Sequence, residues 1–136
     1  MGKNNLRDNL LLKLALASAL RTNGAVNGVT IDRAEDGCYF QDVLFAIQSG
    51  AITDGTHAVT FEHSDDGSSW AATTALQGAA PSIVAANDNV QWAVAYTGDK
   101  RHVRIVVTAS GTTTGGIVGA TAILGNPRNA PVTQDV

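Results

Sequence analysis

The stretch "VQWAVAYTGDKRHVRIVV", residues 90–107, decides the fold class. Val90, Trp92, Val94 and Tyr96 share one parity, with Gln91, Ala93 and Ala95 on the other. After "TGDK" the period returns, Val103, Ile105 and Val107 alternating with His102, Arg104 and Val106. Successive side chains of a strand point to opposite faces, so a period of two marks strands with one face in a core. Thr-Gly-Asp-Lys supplies turn chemistry between them.

The pattern extends in both directions. "FQDVLFAIQSG" puts Val43, Phe45 and Ile47 on one face, and "TDGT" turns the chain. "HAVTFEHS" sets Val59 and Phe61 against Thr60 and Glu62. "VTID" is a short strand, "SGTTTGG" a break, and "IVGATAIL" the last strand. Short strands at regular spacing, with no helix long enough for a βαβ crossover, predict an all-β fold, a β-sandwich or a jelly roll.

The N-terminal run "LLLKLALASAL", residues 10–20, is two-sided. Leu10, Leu12, Leu14, Leu16 and Leu20 alternate as the buried face of a strand, while Leu6, Leu10 and Leu14 make a helical stripe. The run also has the look of a leader, but Lys13 interrupts it and it is too short to span a bilayer, so it is expected in the mature fold. The expected organisation is an arm with a possible first strand over 1–23, a β-sandwich over 24–125 and an extended, proline-containing tail over 126–136.

A chain of 136 residues suits one domain. Charged residues make up 15% and glycines number 14, which suggests a surface partly covered by neighbours. Residues 1–23 carry Lys3, Arg7, Lys13 and Arg21 against the single Asp8, whereas Ala34 to Asp99 holds nine acidic residues and no Lys or Arg. That distribution argues against nucleic acid, which needs a basic groove with stacking aromatics. It fits a basic arm lying on an acidic protein surface, and equally a solvated imbalance. Cys38, the only cysteine, allows no internal disulfide and reads as a small buried hydrophobe.

"HSDDGSSW", residues 63–70, is the loop that could carry chemistry. Asp65 and Asp66 are adjacent and would point apart, and no distant Glu completes a calcium loop. Ser-x-Asp-Gly-x-x-Trp instead resembles the hairpin of several carbohydrate-binding and sialidase-like β-domains, where it is structural. Asp tolerates turn geometry and Gly supplies a positive φ, so Ser64, Asp66, Gly67 and Trp70 are read as a staple. His57 and His63 lie too far apart to chelate one ion without a third ligand. No nucleophile elbow occurs, and "SGTTTGG" lacks the Lys and helix of a phosphate loop. No catalytic residue, cofactor or metal is expected. The basic strand around Arg101 and Arg104 reads either as a solvated face or as an Arg-rich subunit contact.

In order and turn sequence, "NGVTID", "LFAIQSGAITDGTHAVTFEHSDDGSSW", "LQGAAP", "AVAYTGDKRHVRIVV", "TGGIVGATAIL" and "GNPRNAPV" resemble small virion proteins of tailed bacteriophages, over about Asn27 to Val132. The resemblance implies a head-decoration (cement) protein on the outer capsid surface, jelly-roll-like, trimeric, and bound to the major capsid protein with no nucleic acid or membrane partner. Lys3, Arg7, Lys13, Arg101 and Arg104 are then the candidate interface residues. Two alternatives stand beside it: a carbohydrate-binding module using Trp70, Trp92 and Tyr96, or another minor head or tail component.

Overall fold

Eleven strands form two antiparallel sheets in the computed structural model, which describes residues 5–134. In chain order they are β1 (Leu11–Arg21), β2 (Gly24–Asn27), β3 (Ile31–Asp32), β4 (Phe40–Ile52), β5 (Thr56–Ser64), β6 (Ala71–Thr73), β7 (Leu76–Gln77), β8 (Ser82–Ile83), β9 (Gln91–Tyr96), β10 (His102–Ser110) and β11 (Gly116–Pro127). One sheet runs β1-β11-β4-β9-β7 and the other β2-β10-β5-β6, with β3 also on β10 and β8 on β5. The pairs β5/β6, β4/β9, β2/β10 and β1/β11 are nested, as in one long hairpin rolled over itself. That is the jelly-roll order, so the all-β sandwich expected from the sequence is the fold.

The inner faces are the ones the alternation marked. Val43, Phe45 and Ile47 on β4, Val59 and Phe61 on β5, and Val103, Ile105 and Val107 on β10 are all buried. Phe45 and Phe61 come from opposite sheets and meet with ring centroids 5.0 Å apart, tilted by 53°. The link "TGDK" is an arch between sheets and not a hairpin, because β9 and β10 lie in different sheets. The Tyr96 hydroxyl accepts the Lys100 N–H, and the Arg33 guanidinium donates to the Gly98 and Lys100 carbonyls.

The leucine run is a strand and not a helix: Leu6–Asn9 form a single helical turn capped by Asn5, and β1 comes next, but the face expected to be buried needs correction. Within β1 the buried face begins on Leu11, opposite Leu124, which leaves Leu12 and Leu14 more than half exposed. Register shifts between Leu14 and Leu16, and between Leu16 and Ala19, then change the phase so that Ala15 and Leu16 are both inside. A bulge inserts one residue and reverses the parity of the residues beyond it, which an alternation count does not see. At the other end β11 runs to Pro127, and the chain after it is clasped to the N-terminal turn. The Val132 N–H bonds the Asp8 carbonyl, and the Gln134 amide donates to the Arg7 and Leu10 carbonyls.

Candidate functional site

The 63–70 loop is built by its own polar groups. Ser64 Oγ accepts the N–H groups of Asp66 and Gly67 and donates to Asp66 Oδ1 at 2.9 Å. The same Oδ1 accepts the N–H groups of Ser68 and Ser69, each at 2.8 Å. Gly67 takes φ +76, and a Cβ there would touch the His102 ring. Trp70 is half-buried just before β6, with the Arg104 guanidinium 4.2 Å above its ring. Ser64, Asp66, Gly67 and Trp70 thus meet in one loop, whose aromatic residue is covered by the basic strand.

Negative charge on Asp66 is favoured because every hydrogen atom aimed at it is a donor. The Ser69 and Ser68 N–H groups, then the Ser64 hydroxyl, hold its carboxyl down at about 2 against an ordinary 3.8. A carboxyl depressed on folding adds stability that is complete above about pH 4 and is lost as pH falls toward about 2. Asp66→Asn is therefore expected to flatten the acid limb of thermal unfolding between about pH 4 and about pH 2. Wild-type slope retained in Asp66→Asn would assign that limb to other acids, among them Asp32 and Asp54, which are also held low.

A second carboxylate does comparable work over a longer range, and no sequence motif discloses it. Asp54 in "TDGT" accepts the N–H groups of Gly115, Thr114 and Thr113, which favour its ionised form and hold its pKa below the usual carboxylate value. The glycine-rich "SGTTTGG" loop is thus a nest for an anion, and the anion is this chain's own side chain. Nearby, His57 is buried, with Nε2 3.2 Å from the Asp54 carbonyl oxygen.

The basic side chains proposed as contacts are mostly engaged within the chain. Arg104 pairs with Glu62 at 2.6 Å across β10 and β5, and Arg101 grips Asp32 through both oxygens. Lys100 meets Asp65, and Lys13 meets Glu35, each at 2.8 Å. Arg101 remains more than half exposed, and Arg7 is exposed on the N-terminal turn; Lys3 lies outside the described residues. Among the described residues no group of three His, Cys, Asp or Glu side chains is placed to hold a metal ion. The aromatics considered for sugar stacking do not form a rim. Tyr96 is 5% exposed and shares a hydrogen bond with His63, Trp92 packs on the core, and Trp70 lies on the opposite sheet under Arg104.

One surface hollow has no counterpart in any sequence motif. An open cleft of about 920 Å³ is lined by Arg33, Tyr39, Arg101, Asn126 and Arg128, among others. Tyr39 and Asn126 both take a left-handed backbone, with φ +52 and +51, and Arg128 covers the Tyr39 ring at 5.1 Å. The guanidinium groups there already serve neighbours: Arg33 bonds backbone carbonyls, Arg101 bonds Asp32 and Arg128 lies on Tyr39.

No family model and no curated protein matches this chain. Among solved structures, the fold is similar to the crystal structure of the PBSX exported protein XepA, with a TM-score of 0.59 and 19% sequence identity. The similarity covers 92% of this chain and 40% of XepA, so the chain spans about two fifths of that protein's length. At that identity the likeness speaks for the sandwich fold.

Proposed function

We propose that this chain is a non-enzymatic structural protein of a tailed-phage virion. In this reading it binds the outer surface of the head as a decoration protein, three copies together, with the major capsid protein as its partner. The observation that carries the reading is where the polar groups go. Asp54 and Asp66 are occupied by turn amides, and Lys13, Lys100, Arg101 and Arg104 are matched to acids on the same chain. The large exposed side chains, by contrast, include Leu6, Leu12, Leu14 and Leu20. Such a surface offers neighbours contact area and few reactive groups, which suits a subunit that seals seams between others. The order of sequence segments and the likeness in fold to a PBSX exported protein support a phage origin. Arg7 and Arg101, the exposed members of the basic set, are proposed to meet the capsid, while Lys13 and Arg104 steady the sandwich.

Antibody-gold labelling of virions together with co-sedimentation on purified heads tests the proposal. Saturable binding to heads, with label over the head surface, is expected. Label confined to the tail, or heads that sediment without the protein, would refute it.

A further inference from the structure

The outer face of the β1-β11-β4-β9 sheet carries rows that pass from bulky to small side chains. One row runs Leu12, Ile123, Leu44, Ala95, and the next Leu14, Thr121, Ala46, Ala93. On the β1 side Leu12, Leu14 and Leu20 are 55%, 58% and 57% exposed, and Ile117 beside Leu20 is 39% exposed. On the β9 side the two rows end on Ala95 and Ala93, and a hollow of about 700 Å³ opens beside Leu44 and Ala95, with Gln77 and Thr97 on its rim and Arg33, Asp42 and Asp99 at its far end. Neither row contains a charged residue, and Asp42 stands at one end of the face, opposite Gly125. With strands about 4.8 Å apart and about 3.4 Å per residue, the face measures roughly 20 Å by 25 Å. The whole face is thus about 500 Å², with Thr121, Gln48 and Gln91 among its leucines and alanines, and a largely apolar patch of that order on a monomer often marks a contact site.

We infer that this face is covered by a second copy of the same chain, the leucine side of one copy seated on the alanine side of the next. The charges nearby, Arg33, Asp42 and Asp99, stand at one end, while the two rows themselves offer an exposed leucine ridge on one side and a low alanine side to receive it on the other. The contact is made through the face and not by adding a strand to the β1 edge. Two register shifts break that edge, and Lys13 sits on it, both of which discourage strand pairing. A ridge on one side and a trough on the other make a head-to-tail contact, which closes into a ring when the rotation allows. The number of copies, three, rests on the function proposed for the chain, and the face is the surface through which they meet.

Sedimentation equilibrium of the isolated full chain, with no capsid present, is the test. The wild type is expected to show a mass about three times the 14.0 kDa of one chain. Leu14→Glu and Ala93→Glu, on opposite sides of the face, should each reduce this to one chain while keeping the β circular-dichroism spectrum. Mixing the two variants should restore a single contact, the intact leucine ridge of the Ala93→Glu chain on the intact trough of the Leu14→Glu chain, and stop at a pair. A wild type that sediments as a monomer, or folded variants that keep the wild-type mass, would overturn the inference. Because capsid binding is read separately, a monomer that still coats heads removes this inference alone. A trimer that ignores heads removes only the proposed function.

Discussion

Phe61→Ala is expected to lower the unfolding free energy by about 3–5 kcal/mol, read as a shift of the urea midpoint at unchanged slope. Phe61 is 1% exposed on β5 and meets Phe45 of β4 across the sandwich. With three phenylalanines in 136 residues, much of the remaining interior is Val, Ile, Leu and Ala. Short branched side chains fixed on two hydrogen-bonded sheets cannot swing into the vacated space, so most of the void remains and its cost adds to the lost transfer energy. Phe45→Ala combined with Phe61→Ala should cost less than the sum of the two alone, since the ring pair contributes about 0.5–1.5 kcal/mol that is lost only once. Strict additivity would show that the rings do not act as a pair. A single loss below about 2 kcal/mol would show that the sheets settle together.

Alternation identifies the residues of that core and is silent on how the strands pair. Val94 and Val103 are both buried, but the sequence between them does not say that β9 and β10 lie in opposite sheets. A Gly-Asp turn can close a hairpin or lead an arch, and here Tyr96 and Arg33 hold the arch from positions outside it. The leucine strand reads in the wrong phase because Leu is apolar on either face and its one early charge, Lys13, falls on the same parity as buried Leu11 and Ala15, where it pairs with Glu35, and bulges then shift the rest. Local chemistry is easier to read. The Ser64–Ser69 staple closes within six residues, whereas the bonds from Asp54 to Thr113–Gly115 span about sixty and leave no spacing to notice. The same holds for the cleft, whose arginines stand at 33, 101 and 128.

Gly28→Ala is the second large effect, at about 3 kcal/mol, and it separates collision from backbone strain. Gly28 lies after β2, where its N–H bonds the Ile105 carbonyl at 2.7 Å while the next N–H, of Val29, bonds the Ala15 carbonyl at 2.8 Å. Ala15 is on β1 and Ile105 on β10, so these two bonds tie one sheet to the other at the edge of the sandwich. A Cβ on Gly28 would stand 2.4 Å from the Ala15 oxygen and 2.9 Å from the Ile105 oxygen. Both are backbone atoms, with no flexible end to turn aside, so β1 must move away and both bonds must lengthen. Gly111→Ala is the control. There φ is +66 with nothing within 4 Å, and the left-handed backbone alone should cost about 1 kcal/mol. Amide exchange should locate the damage: in Gly28→Ala protection falls first at Val29 and along β1, while β5 and β10 keep theirs. Equal losses for the two variants, or a uniform fall in protection, would mean that the approach of Gly28 to Ala15 is slack enough to absorb a methyl group. Because β1 also presents Leu12 and Leu14, loosening it should weaken self-association as well, even though Gly28 itself lies outside the proposed contact face.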